Sequence, residues 1–251
     1  MGELKVSNEE EKRVKGLGFL RNKGTDNFSA RVITGNGRIT ADQHICIGEA
    51  AKLFSTTGMI TYTTRLTVEV QGIPYEKIEE FRAYIAKAGL ETGGTGPKIR
   101  PVVSCKGTTC RYGLLDSFGI SERIHKEFYV KWHDVTFPHK VKIAVGGCPN
   151  NCVKPNLNDI GIAGCPIPAA QQSEYNGCKK GFKVYIGGRW GKKAMQGTPL
   201  TRIITDEDEL MKVIENTLNV YLKHGNKGER LADMIQRLGF ENVEAEILGK
   251  N

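Results

Sequence analysis

Two short stretches decide how this chain is read: RPVVSCKGTTC at residues 100–110 and KVKIAVGGCPNNC at residues 140–152. Each opens on a run of β-branched and apolar residues and closes in a glycine-containing loop that carries a cysteine pair, Cys105 with Cys110 and Cys148 with Cys152. The pattern predicts a strand over Ile99–Val103 and another over Lys140–Val145, each delivering two thiols to one loop. Two thiolates from one turn can reach one metal centre, and two such turns supply four ligands, a set that suits zinc or an iron–sulfur cluster. Spacers of four and three residues are wider than the usual zinc spacing, which favours the larger object. Zinc and unligated thiols remain open from spacing alone.

The same stretches carry cations. Lys140 and Lys142 alternate with Val141 and Ile143, so on a strand they share the face opposite the apolar one. Arg100 lies on the strand that leads into Cys105, and these three cations are expected to converge on the thiol loops. Arg65 sits on the polar face of an earlier predicted strand. A solvated strand face is the simplest reading of each. The neighbouring thiols raise another: a small oxyanion bound at a metal needs several charge-assisted hydrogen bonds, each worth roughly 1.5–3 kcal/mol when desolvated.

Outward from these motifs the chain divides. Phe28–Ile39 reads as a strand or strand pair with a Gly35-Asn36-Gly37 turn. Asp42 is expected to cap a helix to about Thr56, with Cys46, Ala50, Leu53 and Phe54 inward. Ile60–Val70 alternates as one strand, and Pro74 opens a helix to Ala88 with Ile78, Phe81 and Ile85 inward. This order suggests a split βαβ, ferredoxin-like α+β unit. Residues 91–97, ETGGTGP, form the best boundary. Beyond it, a helix is expected over Arg111–Tyr129, a strand over Phe182–Ile186, a helix from Asp206 to Lys223 and a last helix over Glu229–Leu238. The polar start of the chain, residues 1–27, is expected to be a loose arm.

Composition narrows the function classes. The chain has 251 residues, 39% of them hydrophobic, enough to bury a sizeable core. No apolar run approaches the roughly 20 residues of a membrane span, and no apolar signal region opens the sequence, so no membrane partner and a cytoplasmic location are expected. Seven cysteines, an odd count, argue against a disulfide framework. Cys46 reads as a core thiol, and Cys165 and Cys178 as surface or core thiols. The net charge of +8 implies an acidic partner. Aromatics are only 8%, without the interleaved pattern of a single-strand binder, so nucleic acid is not expected. A metal-stabilised basic nucleic-acid module is nonetheless the alternative from another class.

Taken together, RPVVSCKGTTCRYGLLDSFGISERIH (100–125) and FPHKVKIAVGGCPNNCVKPNLNDIG (137–161) resemble the siroheme and [4Fe–4S] module of sulfite and nitrite reductases. TYTTRLTVEVQGI (61–73) is similar to the ferredoxin-like half-domain of that family, and GFKVYIGGRWGKK (181–193) matches as well. The resemblance implies an N-terminal arm (1–27), a ferredoxin-like half-domain (28–92), a siroheme and [4Fe–4S] α/β domain (93–225) and a C-terminal helix (226–251). Under it, Cys105, Cys110, Cys148 and Cys152 would ligate the cluster, with Cys152 also bridging to the siroheme iron. Arg65, Arg100, Lys140 and Lys142 would surround the substrate. Arg31, Lys98, Arg111, Lys154, Arg189 and Lys192 are candidates to cradle the siroheme carboxylates, helped by backbone N–H groups of Gly93–Gly96 and Gly187–Gly188. The implied activity is six-electron reduction of sulfite to sulfide, or of nitrite to ammonium. No flavin or nicotinamide motif is visible, so electrons are expected from a separate donor protein, a ferredoxin or a partner subunit. Larger family members carry two homologous halves and this chain one, which implies a homodimer or hetero-oligomer. A siroheme protein without reductase activity is the nearest rival.

Overall fold

The computed structural model describes residues 6–249; the first five residues of the expected arm and the last two of the expected C-terminal helix lie outside them. The chain separates into two compact units, Met1–Gly96 and Pro97–Asn251.

In the first unit, helix α1 (Asn8–Gly16) is capped by Ser7, whose hydroxyl accepts the Glu10 N–H, and it has glutamates in its first turn and Arg13 and Lys15 in its last. Strand β1 (Phe19–Arg21) follows. The stretch expected as a loose arm is therefore ordered at least from residue 8 to residue 21. Its anchors are Val14 and Phe19, each fully buried, which polar neighbours hide in the sequence. An antiparallel sheet in the order β1-β2-β4-β3 combines it with β2 (Asn27–Val32), β3 (Ile60–Tyr62) and β4 (Val68–Pro74).

Helices α2 (Ala41–Phe54) and α3 (Ile78–Ala86) complete this unit. The cap of α2 is Thr40, not Asp42: its hydroxyl accepts the Gln43 N–H while the Gln43 side chain accepts the Thr40 N–H. Ile47, Ala50 and Ala51 face inward, whereas Leu53 is exposed. Ile78, Phe81 and Ile85 of α3 are buried as expected.

The expected single strand Ile60–Val70 is instead a hairpin. The turn closes where the Thr63 N–H donates to the Thr67 carbonyl and the Thr67 N–H donates to the Thr63 hydroxyl; the two hydroxyls also pair, and Leu66 takes φ 59°. Alternation continued through the turn, so periodicity alone did not reveal it.

The second unit is built on a sheet in the order β5-β6-β7-β8-β9: β5 (Val103–Ser104), β6 (Ile143–Gly146) and β7 (Ile160–Pro166) run parallel, and β8 (Lys180–Ile186) and β9 (Thr198–Pro199) run antiparallel. Helix α4 (Ser117–Ile124), extended by a π-helical turn to Val130, makes the crossover from β5 to β6. Asp206 caps α5 (Glu207–His224), which buries Leu210, Ile214, Leu218 and Tyr221 as its spacing predicts. Two short helices follow, α6 (Leu231–Leu238) and α7 (Phe240–Ile247).

Strand β7 has no counterpart in the sequence expectations. Its IGIAGCP is interrupted by Gly161 and Gly164, yet residues 160–165 are buried. Those glycines are required by close approach: a Cβ on Gly161 would stand 2.1 Å from the Pro155 carbonyl oxygen, and one on Gly164 would stand 2.5 Å from the Gly147 oxygen. The central strand therefore lies directly against the loop that carries Cys148 and Cys152. Among the described residues no helix is long and apolar enough to cross a membrane.

Candidate functional site

Parallel pairing of β5 with β6, Val103 opposite Ala144 and Ser104 opposite Val145, puts Cys105 and Gly147 side by side at the carboxyl ends of both strands. In open α/β sheets this end is where ligands bind. The Cys105 Sγ accepts the N–H of Gly147 at 3.1 Å and that of Gly107 at 3.4 Å, and lies 3.4 Å from the Ser117 hydroxyl. Gly147 in turn accepts the Leu114 N–H at 2.8 Å through its carbonyl. The two cysteine loops are thus tied together by their backbones.

Cys110 closes a 3-10 turn over Gly107–Thr109. Cys152 is exposed between two left-handed residues, Asn151 (φ 57°) and Lys154 (φ 49°). Asparagine tolerates that conformation, and the loop is pinned by Asn151 Nδ2 donating to Asn156 Oδ1 and Asn158 Nδ2 donating to the Lys154 carbonyl. Cys105, Cys110 and Cys148 are partly exposed.

Four thiols on two joined loops, one of them already receiving two N–H donors, fit an iron–sulfur cluster, whose sulfurs are tuned by such hydrogen bonds. Among the described residues no three Cys, His, Asp or Glu side chains converge to hold a single metal ion. Cys165 is a buried core thiol on β7 whose pKa burial pushes up, and it lines a cavity of about 230 Å³ behind the Pro149–Asn151 turn.

The expected cations lie elsewhere. Arg100 and Lys142 precede their strands, whereas Cys105 and Cys148 follow them. The two sets therefore occupy opposite ends of the sheet, rather than converging on the thiol loops. Four residues of β6 separate them, about 13 Å of extended chain. Lys140 and Lys142 are not within the regular strand; Val141, fully buried and bridged to Ile99, anchors the segment between them.

At this end Lys140 meets a crowd of charge. Its pKa is lowered, first by burial, then by Arg100 and Arg230, with Arg189 adding to the effect and Asp159 opposing it. His139 is lowered as well, by burial and then by Arg230, Lys140, Arg100 and Arg189. Asp159 is fully buried and takes a two-pronged grip from Arg230, whose Nη2 lies 2.9 and 2.8 Å from its two oxygens. Burial pushes the Asp159 carboxyl upward, against the pull of Arg230 and of the Lys142 N–H. The Lys142 ammonium donates to the Trp190 carbonyl at 3.4 Å.

The remaining expected residues are scattered. Arg65 belongs to the first unit and sits in the β3–β4 turn, not on a strand face; its N–H bonds the Thr63 hydroxyl. Arg31 is bound to Glu69 at 2.6 Å and to the Gly94 carbonyl. Arg189 is bound to Asp233 at 2.8 Å. Arg111 is exposed and stacks over the Tyr112 ring at 5.2 Å; Lys154 and Lys192 are exposed, and Lys98 is half-buried. Two of the expected anion-binding N–H groups are already used, Gly93 by the Arg31 carbonyl and Gly187 by the Asp159 carbonyl. His139, Asp159 and Arg230 were not singled out from sequence. The only signal was an acid directly before the apolar run at 160, and nothing in the spacing linked it to residue 230.

Known proteins resemble this chain in sequence and fold. Residues 95–251 match the nitrite and sulphite reductase 4Fe-4S domain, and residues 21–88 match the nitrite/sulfite reductase ferredoxin-like half domain. The coenzyme F420-dependent sulfite reductase of Methanocaldococcus jannaschii is 28% identical over 75% of this chain, which spans 37% of that protein. An uncharacterized protein of the same organism is 30% identical over 88% of this chain and 91% of its own length. The Mycobacterium tuberculosis NirA structure superposes with a TM-score of 0.81 at 20% identity, covering 97% of this chain and 48% of that one. The tied cysteine loops lie inside the longer matched segment, which spans well over half of the chain, and on that ground the chain belongs to the nitrite and sulphite reductase family, as a ferredoxin-like half domain followed by the 4Fe-4S domain.

Proposed function

We propose that this chain is a siroheme-dependent reductase of a small oxyanion, sulfite or nitrite, with Cys105, Cys110, Cys148 and Cys152 as the ligands of a [4Fe–4S] cluster and Cys152 as its bridge to the siroheme. The observation that carries the reading is the joining of the two thiol loops, in which Cys105 receives N–H donors from both. Siroheme and the cluster, when bound, would relay six electrons one at a time from an external donor protein to the anion. The chain's own part is electrostatic: Arg100, Lys140 and Lys142 offset the charge of the anion and donate hydrogen bonds as its oxygens leave, and Arg65 is a further candidate cation carried by the first unit. A lysine with a lowered pKa releases its proton more readily, which suits Lys140 as a proton donor to departing oxygen. Arg31, Lys98, Arg111, Lys154, Arg189 and Lys192 stand as candidates for the siroheme carboxylates, with Arg31 and Arg189 exchanging their present acidic partners for them.

Thiols and cations at opposite ends of one sheet support an assembly in which the thiol end of one copy works with the cation end of another copy or of a partner subunit. Electrons come from a separate donor protein. Anaerobic purification, iron and sulfide analysis and an absorption spectrum test the cofactors, and parallel sulfite and nitrite assays with reduced methyl viologen test the activity. Siroheme and cluster without turnover on either anion would make the chain a non-catalytic siroheme protein. Zinc without iron would end the reading.

A further inference from the structure

Asp159 and Arg230 are 71 residues apart in sequence and are the least exposed ion pair among the described residues, with side-chain exposures of 0% and 6%. Their contacts reach past each other. Asp159 Oδ2 accepts the backbone N–H of Lys142 at 2.8 Å as well as Arg230 Nη2, while Oδ1 accepts both Nη2 and Nε of Arg230. The Asp159 carbonyl takes the Gly187 N–H, and the Lys142 carbonyl takes the Ile160 N–H. Arg230 caps α6, and one turn on Asp233 holds Arg189. The start of α6 thus grips the entries to β6 and β7 and the exit from β8. A buried pair of this kind rarely gains net stability over an apolar replacement, so its geometry needs another reason.

We propose that Asp159 and Arg230 are a positioning pair for the Lys140–Lys142 segment, with Asp159 fixing the Lys142 backbone and Arg230 latching α6 onto it. This rests on reading Lys140 and Lys142 as oxyanion groups. An amide cannot replace the carboxylate, because one of its two ends would turn N–H donors toward Arg230 or toward the Lys142 N–H. The charges facing Lys140 are Arg100 before β5, Asp159 before β7, Arg189 after β8, Arg230 at α6 and its neighbour His139. Removing the acid and removing the arginine must therefore move its titration in opposite directions.

The experiment uses the full chain with its cofactors for anion binding and 13C-methylated lysines for titration by NMR, with Lys140 assigned through Lys140→Arg. Asp159→Asn is expected to lower the Lys140 midpoint and Arg230→Met to raise it. Sulfite or nitrite affinity is expected to fall about tenfold in both, although Asp159→Asn makes the site more positive and a purely Coulombic effect would tighten binding. Arg230→Lys keeps the charge without the fork, so it should hold the midpoint near the parent value while affinity still falls. Unchanged midpoints, or midpoints moving the same way, with parent-like affinity would overturn the pair. If either single variant does not fold, Asp159→Asn/Arg230→Met leaves no buried unpaired charge; its midpoint should return toward the parent with affinity still reduced, and parent-like affinity there would overturn the proposal. A parent chain that binds neither anion would instead remove the oxyanion reading, a result separate from the titration directions.

Discussion

The two ends of the parallel strands β5 and β6 are made in different ways. At the carboxyl ends the chain presents thiols, held by backbone: N–H groups of Gly107 and Gly147 on Cys105, a Gly147 carbonyl on Leu114, and glycine in β7 where a Cβ would collide. At the amino ends it presents cations, held by side chains from segments far apart: Arg100, His139 and Lys140, Asp159, Arg189 and Arg230. Backbone-held groups need short, local motifs. A charge cluster held by side chains needs only that the fold bring its members together, so its parts can come from anywhere in the sequence. The first kind should fail all at once when a ligand or glycine is lost, and the second should fail by degrees.

The largest expected effect tests the thiol end. Cys105→Ala and Cys148→Ala should each abolish retention of iron, measured as iron and sulfide per chain after anaerobic purification, whereas Cys165→Ala should retain it; loss of iron in Cys165→Ala would erase the distinction between ligand and core thiol. Next comes the cation end. Lys142→Ala should lower anion turnover by about 10²-fold with iron content unchanged, and an unchanged rate would remove Lys142 from the reaction. Smaller again is Gly164→Ala, which forces a Cβ to 2.5 Å from the Gly147 oxygen; it should cost about 1–3 kcal/mol in chemical denaturation.

The smallest expected effect is a pH dependence at the cation end. His139 has a pKa lowered from 6.5 in the folded chain, so the unfolded chain binds more protons as the pH falls. Stability from this residue is present above about pH 6.5 and declines below it. Denaturation at pH 7.5 and 5.5 should show a loss that shrinks in His139→Gln. An equal loss in that variant would assign the dependence to other groups.

Much of the α-helical pattern and the whole thiol motif were legible because both are local. Asp206 and the spacing of Leu210, Ile214, Leu218 and Tyr221 mark α5 within one stretch of chain. Other elements were not. The hairpin at Thr63–Thr67 keeps the alternation of a strand, so the sequence alone puts Arg65 on a strand face and not in the turn. Val14 and Phe19 looked like isolated apolar residues in a polar arm, and only their burial shows the order of that segment.

By itself, the sequence determined the α+β class, the two cysteine loops at strand ends and the family to which they belong, because hydrophobic period and short ligand spacing are properties of neighbouring residues. Tertiary structure alone decided that Lys142 and Arg100 stand at the far end of the sheet from Cys105 and Cys148, and that Asp159, buried and gripped by Arg230, holds that end. Strand direction and strand order are set by which apolar faces pack together over long chain separations, and a buried charge finds its partner only after that packing has excluded water.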